Sequence, residues 1–329
     1  MGEPLMTIRW GILGCGDVVR RRVAAAIQAD VGSQLVAACR RNAGPLQQFC
    51  NDFKVSRSYT DQSELARDSD IDAVYIATPV DRHLPQTLLC AAAGKHVLCE
   101  KPMALTTDEC DQMIAACARA GVQLGVAYYR RYYPVVERIR ELIQEGRIGT
   151  VFSITAVTAT PFSFAPGEDG YWRVLPGEGG GGALMDIGSH RLNLFLDLLG
   201  PIAEVRGFCE TVAGSFTADD CAVYTFRFKN GALGSLQCYF GVPLDPDEFT
   251  LVGTEGRLSA TPLNSGRLVI KTAAGVEIEE HPPAANFNLP LVEDFVTAIR
   301  ENRPPRVDGH EGRATNEVIQ RAYAAGQTG

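Results

Sequence analysis

The chain has 329 residues, and at about 150 residues per domain this length favours two domains. The 31 lysines and arginines against 39 aspartates and glutamates leave a formal net charge of −8. This balance argues against a nucleic-acid partner, because such partners require a broadly basic surface. With 46% hydrophobic and 21% charged residues, the composition is that of a globular protein and not of a disordered one.

The cysteines and the apolar runs indicate the compartment. Ten cysteines are scattered without a C-x-x-C pair, which favours reduced thiols over a disulfide scaffold or a zinc site. No signal peptide is expected, because the first residues lack a basic stretch followed by a long apolar run. The longest uncharged run, 148–167, contains Pro161 and Pro166 and is not expected to span a membrane. We therefore expect a soluble, cytoplasmic protein with no membrane partner.

The first 126 residues alternate short apolar runs with helical patterns. Expected strands cover 8–13, 34–39, 73–77, 96–99 and 122–127, and expected helices cover 18–29, 44–53, 84–93 and 107–120. Gly94 and Gly121 follow the last two of these helices as C-terminal caps. Strands separated by helices of ten or more residues predict a parallel, doubly wound sheet.

After about residue 126 the pattern changes to alternating and β-branched runs. These runs cover 150–160, 203–212, 220–229, 232–240, 248–252 and 267–271. Asn230-Gly231 lies between two of them and is a strong hairpin signal. Helices are expected at 135–145, at 183–199 after a glycine run, at 289–301 and at 312–325. This half predicts a largely antiparallel sheet with a few helices.

The first strand continues into a glycine turn, Gly14-Cys15-Gly16-Asp17-Val18-Val19, and then a helix. In a dinucleotide-binding fold such glycines permit a tight turn and close approach of a pyrophosphate, and the helix start offers free N–H groups. We therefore expect Gly14, Gly16, Asp17 and Val18 to contact the cofactor. Val19 stands where a smaller residue is usual, so the fingerprint is partial. A tight turn with no ligand is the alternative.

The end of the second strand indicates which nicotinamide cofactor is bound. An acidic residue for the ribose of NAD is usual here, but the sequence reads Cys39-Arg40-Arg41-Asn42. No carboxylate is present to repel a 2′-phosphate, and two guanidiniums are available to bind it. Arg40 and Arg41 thus favour NADP, with NAD possible. The alternative is that both arginines are merely solvated.

Three further segments carry candidate chemistry. Residues 77–83 and the tripeptide Glu100-Lys101-Pro102 follow strand ends, where open α/β sheets bind ligands. In the third segment, Asp186 and His190 are four residues apart on an expected helix, so the carboxylate could orient the imidazole. The alternatives are surface charge for Glu-Lys, and a helix salt bridge or half of a metal site for Asp186 and His190. No third ligand with local spacing is evident, so no metal is predicted.

Together these segments resemble the glucose–fructose oxidoreductase / inositol dehydrogenase / MocA (Gfo/Idh/MocA) family. The glycine turn, the Ala77-Thr78-Pro79 strand end, Glu100-Lys101-Pro102 and Asp186-x-Gly188-x-His190 occur in that order at family-like spacing. The segment 94–102 is highly specific, and 129–134 and 171–173 are also family-like. The resemblance covers nearly the whole chain.

The resemblance implies an α/β fold with two domains. Residues 1–126 would form a Rossmann dinucleotide-binding domain. Residues 127–311 would form an α+β substrate-binding and oligomerisation domain with a large, open-faced, mostly antiparallel sheet. The last helix, at about 312–325, would pack back on the first domain. The resemblance also implies a homo-oligomer, a dimer or a tetramer, supported by the outer face of the sheet.

The resemblance implies a catalytic group of Lys101, Asp186 and His190. The remaining expected cofactor contacts lie at the strand ends: Thr78, Pro79, His83, Glu100 and Lys101. The reaction we expect is hydride transfer between nicotinamide C4 and a carbinol or carbonyl carbon of a sugar, polyol or related compound. Lys101 and His190 would manage the proton and the charge on oxygen, in either order, and Asp186 would bind His190 or a substrate hydroxyl.

The substrate itself is not encoded in a readable motif. Tyr129, Arg131, Trp172 and Arg173 are candidate substrate contacts, although ordinary packing explains them equally well. Three alternative functions remain open within the resemblance: a trans-dihydrodiol dehydrogenase, an NAD-dependent glycosidase, and a non-catalytic NADP-binding, sugar-responsive regulator. A pure regulator has no need of the whole catalytic group, which favours the enzyme.

Overall fold

The protein is described by a computed structural model that covers residues 6–243 and 246–326. The chain forms two compact units. The first unit comprises Met1–Tyr129 and Asn286–Arg313, and the second comprises Arg130–Ala285 and Ala314–Gly329. The sequence-based boundary near residue 126, and the packing expected of helix 312–325, stay predictions beside this division.

The first unit is built on a six-stranded parallel sheet of order β3-β2-β1-β4-β5-β6. Its strands are β1 (Ile8–Leu13), β2 (Ser33–Cys39), β3 (Arg57–Tyr59), β4 (Ala73–Ile76), β5 (His96–Cys99) and β6 (Leu124–Val126). Its helices are α1 (Ala24–Ala29), α2 (Ala43–Phe53), α3 (Gln62–Arg67), α4 (His83–Ala92), α5 (Thr107–Ala120) and α9 (Leu289–Glu301). This order reverses between β1 and β4, the position at which doubly wound sheets bind ligands. The predicted Rossmann fold is confirmed.

Helix α9 supplies core contacts to this sheet although it comes late in the chain. Trp10 on β1 is fully buried, and its ring lies 5.7 Å from the ring of Phe295. A Cβ on Gly125 of β6 would lie 2.8 Å from the same phenylalanine, so the helix approaches the sheet closely. Arg300 donates hydrogen bonds to the carbonyl oxygens of Met6 and Gly32. The first unit is therefore complete only with its second chain segment.

The second unit is built on an eight-stranded sheet of order β14-β13-β12-β11-β7-β10-β9-β8. Its strands are β7 (Val151–Thr160), β8 (Ile202–Glu210), β9 (Cys221–Phe228), β10 (Leu233–Phe240), β11 (Glu248–Gly253), β12 (Gly256–Ala260), β13 (Arg267–Thr272) and β14 (Gly275–Glu280). Among the described strands of this sheet, only β7 and β10 pair in parallel. Helices α6 (Pro134–Gln144), α7 (Pro176–Gly179) and α8 (Ser189–Leu199) belong to this unit. The last helix, α10, covers Gly309–Gly326.

One face of this sheet is covered and the other is open, as predicted. Phe195 of α8 packs against the rings of Phe226, Phe228 and Phe249, which lie on β9 and β11. Buried and exposed residues alternate along β9, which is the pattern of a sheet with one solvated face. The hairpin predicted at Asn230-Gly231 joins β9 to β10, and Gly231 adopts a φ of 91°.

The structure departs from the sequence-based elements in two ways. The helices expected at 18–29 and 183–199 each begin with a π-helical turn, Val19–Val23 and Leu184–Gly188. Strands β3, β12 and β14 and helices α3 and α7 were not predicted. These elements are short, and β14 is an acidic edge strand with no fully buried residue, in which only Val276 and Ile278 alternate with glutamates.

Candidate functional site

The glycine turn between β1 and α1 has two glycines with different structural requirements. Gly14 adopts a φ of +92°, and a Cβ there would lie 2.5 Å from the carbonyl oxygen of Ala77. Gly16 has no positive φ, and a Cβ there would meet no protein atom within 4 Å. The fold therefore explains Gly14 but not Gly16, whose missing side chain leaves open space beside the start of a helix.

The residues at the end of the turn make contacts within the protein. Asp17 pairs with Arg21 at 2.7 Å on the exposed face of the helix. Val19, the residue that departs from the fingerprint, is fully buried in the core. Val18 is half-buried between them. Because the valine at 19 faces the core, its size is accommodated away from the turn.

Arg40 lies against the glycine turn, whereas Arg41 is exposed and its contact with a cofactor stays a prediction. The Arg40 guanidinium donates from Nη1 to the carbonyl oxygen of Cys15 at 3.1 Å, and the residue is half-buried. Arg41 is exposed at the start of α2, where Asn42 caps the helix by accepting from the amide of Gly44. Of the two arginines, Arg40 is the one that the fold fixes beside the turn.

His83 connects two of the predicted cofactor-binding segments. Its Nε2 lies 3.0 Å from the carbonyl oxygen of Thr78, and its Nδ1 lies 3.0 Å from that of Pro102. Burial lowers the pKa of His83, and the residue is 1% exposed. Thr78 in turn donates to Gln86 at 2.7 Å, while Pro79 is half-buried. His83 thus links the loop after β4 to the loop after β5. Its direct contact with a cofactor stays a prediction.

A buried tyrosine supports the turn that carries Lys101. The hydroxyl of Tyr75, which has no exposed surface, donates to Oε1 of Glu100 at 2.7 Å. The other carboxyl oxygen of Glu100 accepts from the amide of Lys101 at 3.2 Å. Desolvation raises the pKa of Glu100, while Lys101 and Tyr75 act in the opposite direction. Tyr75 was missed from the sequence, because a tyrosine inside a strand looks like core packing.

Tyr129, the last residue of the first unit's opening segment, lies in an aromatic cluster. Its ring stacks on Phe287 with 6.2 Å between centroids, and the Arg22 guanidinium lies within 6 Å of both rings. Arg22 also donates to the Tyr129 hydroxyl at 3.0 Å. Tyr129 is 8% exposed, and these contacts within the first unit form part of its packing. Its contact with substrate stays a prediction.

In the second unit, Asp186 and His190 lie on successive turns of one helix. Asp186 belongs to the π-helical turn and His190 to the start of α8. His190 is 5% exposed, whereas the Asp186 side chain is 20% exposed. Between them, Gly188 lets the helix approach β10, because a Cβ there would lie 2.8 Å from Sγ of Cys238. The π-helical turn is a feature often found at functional sites.

The structure brings Arg173 and Trp172 to Asp186. Nε of Arg173 lies 3.4 Å from Oδ2 of Asp186. The same guanidinium lies over two aromatic rings, 4.6 Å from the centroid of Trp172 and 5.6 Å from that of Phe164. Phe164 was not predicted, since a phenylalanine in an irregular loop has no distinguishing pattern. The Arg173 guanidinium is therefore held by two aromatic rings and one carboxylate.

Arg131 is placed differently from Arg173. It is 6% exposed, and its guanidinium pairs at 2.8 Å with Asp197 on α8, which also binds Arg140. Both partners belong to the second unit, and removal of either one would take a charged partner away from the other, which is largely buried. The contact of Arg131 with substrate stays a prediction.

The candidates therefore lie in two sets. The first unit holds the expected cofactor residues, Lys101 and Tyr129, and the second unit holds Asp186, His190, Trp172, Arg173 and Arg131. Among the described residues, no group of three or more His, Cys, Asp and Glu side chains could hold a metal ion. In the described part of the chain, no helix is both long and apolar enough to cross a membrane.

The residues of the first unit fit a dinucleotide. The open space at Gly16 gives room for close approach to the backbone, and the helix start that follows offers amide donors. The Arg40 guanidinium beside the turn can bind a further phosphate. These hydrogen-bond donors suit an anionic ligand that lies where the strand order reverses, between β1 and β4.

Comparison with known proteins decides the family. A family described as "Oxidoreductase family, NAD-binding Rossmann fold" matches residues 8–128, and the "GFO/IDH/MocA C-terminal domain" matches residues 136–259. The chain is 30% identical to 1,5-anhydro-D-fructose reductase of Ensifer adhaerens, over 97% of either chain. The protein belongs to the Gfo/Idh/MocA family. As a member of this family it is an NAD(P)-dependent dehydrogenase or reductase acting on CH–OH groups.

Two solved structures cover nearly the whole chain. The aldose-aldose oxidoreductase from Caulobacter crescentus, complexed with glycerol, has a TM-score of 0.89 at 27% identity and covers 98% of each chain. The WlbA dehydrogenase from Bordetella pertussis, in complex with NADH and UDP-GlcNAcA, has a TM-score of 0.87 at 26% identity. It covers 98% of this chain and 96% of its own. The similarity thus extends over both units.

Proposed function

We propose that this Gfo/Idh/MocA protein is an NADP-preferring oxidoreductase that interconverts a carbinol and a carbonyl group in a sugar, polyol or related compound. One observation carries the proposal: Lys101 lies at the carboxyl end of β5, on a turn fixed by Glu100 and the buried Tyr75. Carboxyl ends of parallel strands are where this fold performs its chemistry. The sugar-acting names of the similar proteins support the substrate class.

The cofactor preference rests on Arg40. No acidic side chain stands at 39–42, and the Arg40 guanidinium lies 3.1 Å from the Cys15 carbonyl in the glycine turn. A guanidinium can bind a 2′-phosphate by two parallel hydrogen bonds, whereas a carboxylate there would repel it. Gly14, Gly16, Asp17 and Val18 would hold the pyrophosphate end. A bound nicotinamide would carry the hydride.

The protein's own groups would manage one oxygen and one proton. The Lys101 ammonium would donate a hydrogen bond to the reacting oxygen and stabilise the negative charge that develops as a carbonyl is reduced. His190 would give or take the proton, because imidazole exchanges protons near neutral pH. Asp186, held by Arg173, would orient His190 or a substrate hydroxyl. If Lys101 and His190 exchanged these two roles, the reaction would still transfer one hydride and one proton.

The direct test measures nicotinamide absorbance with a panel of sugars, polyols and keto-sugars, using NADP⁺ or NADPH. Lys101→Met should lower kcat by about 10²–10³-fold, the usual cost of losing one charge-stabilising donor, and should change NADPH affinity far less. Lys271→Met, at an exposed position on β13, is the matched control and should behave as the wild type. Wild-type turnover by Lys101→Met on an identified substrate would refute the assignment.

A second arm of the same experiment tests the cofactor. Arg40→Ala should weaken NADPH binding by about 10–100-fold, the loss expected for a charge-assisted contact, and should change NADH binding far less. Arg41→Ala is the neighbouring control. Equal effects on NADPH and NADH would contradict the 2′-phosphate contact.

We also propose that the protein is a cytoplasmic homo-oligomer that uses the open face of its large sheet. Among the described residues, six exposed apolar side chains lie on that face of the paired strands: Phe208, Val223, Leu233, Val252, Val276 and Ile278. Covering such a face is favourable because it removes apolar surface from water. Light scattering on the wild type and on Val223→Glu should show an oligomer and its dissociation.

A further inference from the structure

Asp219 binds the beginning of the helix that carries Asp186 and His190. Oδ1 accepts from the amide of Gly182 and Oδ2 from that of Leu184, each at 2.9 Å. The intervening amide, that of Ala183, donates to the backbone oxygen of Asp219 at 2.9 Å. The first amides of a helix have no partner within the helix, so one residue here satisfies three in succession. Its carboxylate also complements the positive end of the helix dipole.

Tyr323, on the last helix, holds Asp219 in this position. Its hydroxyl donates to Oδ1 of Asp219 at 2.8 Å and accepts from the amide of Gly182 at 3.3 Å. Burial raises the pKa of Tyr323 well above its ordinary value, so the hydroxyl keeps the proton that it donates. The three groups form a closed set of hydrogen bonds in which Asp219 is 7% exposed.

This arrangement explains the glycine run before the helix. A Cβ on Gly182 would lie 1.8 Å from the backbone oxygen of Asp219, and one on Gly181 would lie 2.0 Å from the Tyr323 hydroxyl. A Cβ on Gly179 would lie 2.7 Å from the carbonyl oxygen of Trp172. The run therefore passes between the Asp219 and Tyr323 pair on one side and the loop that presents Trp172 on the other.

The hydrogen bonds continue from this cap to Asp186. The amide of Asp186 donates to the carbonyl oxygen of Gly182 at 2.9 Å, one helical turn from the cap. Asp186 itself faces Arg173 at 3.4 Å. A shift of the Gly182 peptide would thus displace the carboxylate relative to the guanidinium, and it would tilt the helix on which His190 lies.

We propose that Asp219 and Tyr323 are positioning residues, which fix the helix start so that Asp186 and His190 are correctly placed for the proton step. The proposal rests on the proposed function for its catalytic consequence. Its structural part, that these two side chains hold residues 182–190, stands on the hydrogen bonds alone.

The neighbouring residue provides a matched control. Asp220 is also a buried carboxylate that binds three consecutive amides, those of Val212, Ala213 and Gly214, at 2.7, 2.8 and 2.5 Å. Asp220→Asn therefore removes the same charge, one position further along, from a cap that holds a different loop. Asp219→Asn keeps the side-chain volume but presents an NH₂ group to an amide donor, and Tyr323→Phe removes only the hydroxyl.

The test compares these three variants by amide hydrogen exchange. Asp219→Asn and Tyr323→Phe should speed exchange in peptides covering 182–190 by roughly 3–30-fold, the effect of losing a helix cap, and should leave 211–215 protected. Asp220→Asn should give the reverse pattern. The imidazole resonance of His190, one of five histidines, should move in the first two variants only. Unchanged exchange at 182–190 in Asp219→Asn would overturn the proposal.

Steady-state kinetics test the catalytic consequence. With an identified substrate, Asp219→Asn should lower kcat by about 10–100-fold, the cost of a misplaced catalytic group, with KM and NADPH affinity within about twofold. Asp220→Asn should retain kcat even where its thermal stability falls equally. If kcat followed stability in both variants, the positioning role would be refuted. If the wild type turned over no substrate, the proposed function would fail by itself, and the exchange pattern would still decide whether Asp219 holds the helix.

Discussion

The two glycines of the first turn should respond in opposite ways to the same substitution. In Gly14→Ala the new Cβ would lie 2.5 Å from the Ala77 carbonyl oxygen, at a φ of +92°. A side chain at positive φ costs about 1–2 kcal/mol, and an overlap with backbone that cannot move adds to it, so we expect a loss of about 2–4 kcal/mol. For a chain of 329 residues, with an unfolding entropy of about 2.1 cal/mol/K per residue, that corresponds to a Tm lower by roughly 3–6 °C.

In Gly16→Ala the Cβ would meet no protein atom within 4 Å, and the backbone conformation suits alanine. Stability should stay constant or rise by about 0.4–1 kcal/mol, because alanine restricts the unfolded chain. Cofactor affinity should nevertheless fall by at least about tenfold, since a methyl group would occupy the space left for the pyrophosphate. The fold thus accounts for Gly14, and cofactor binding would account for Gly16.

Differential scanning calorimetry and an NADPH fluorescence titration separate the two effects. Gly14→Ala should lose stability, and Gly16→Ala should lose NADPH binding at wild-type stability. Gly94→Ala, at a helix C-terminus with open space around its Cβ and a φ of +71°, measures the cost of positive φ alone. Wild-type NADPH affinity in Gly16→Ala would show that the open space is not the cofactor site. A Gly14→Ala variant no less stable than Gly94→Ala would refute the overlap.

Two further predictions follow from charged groups in separate units. Burial, the largest influence, pushes the pKa of Asp68 up, but bonds from Arg57, the Asp70 amide and Tyr59 outweigh it and hold the pKa below its usual value. This stabilisation is present above the unfolded pKa of about 4 and is lost as pH falls through the folded pKa. The free energy of unfolding, measured with urea at a series of pH values, should therefore fall less steeply towards acid pH in Asp68→Asn than in the wild type. An unchanged slope would contradict this. In the second unit, Arg173→Ala should raise KM for the sugar about tenfold or more with NADPH affinity retained, and Arg173→Lys should not restore it, because an ammonium cannot stack on Trp172 and Phe164. Full rescue by lysine in steady-state assays would show that charge alone suffices.

The sequence predicted the long elements well because their signals are local. Strands 8–13 and 96–99 and helix 107–120 occur where apolar runs and capping glycines placed them. The edge strand β14 was missed because it buries no face. The π-helical turns were missed because a turn of five residues inside a longer helical pattern has no sequence spacing of its own that distinguishes it from an α-helix.

The candidate site was predictable only where a motif carries the chemistry. The glycine turn and Glu100-Lys101-Pro102 are continuous in sequence, and their strand-end positions follow from the fold. Tyr75 and Asp219 lie 25 and 37 residues from the groups they bind, Glu100 and Gly182. No periodicity links residues that meet only through the tertiary structure, so neither could be found in advance.

Helix α9 is synthesised long after the strands that it covers, and this order affects how the first unit folds. Phe295 and Arg300 complete the first unit, yet the 156 residues of Arg130–Ala285 are synthesised before them. At about 5–20 residues per second, the ribosome needs roughly 8–30 s to cover that distance, and during this time the surface around Trp10 and Gly125 has no helix to cover it. An emerging chain of this kind presents an apolar patch to chaperones. Expressing the cofactor unit alone would require Tyr129 to be joined to Asn286.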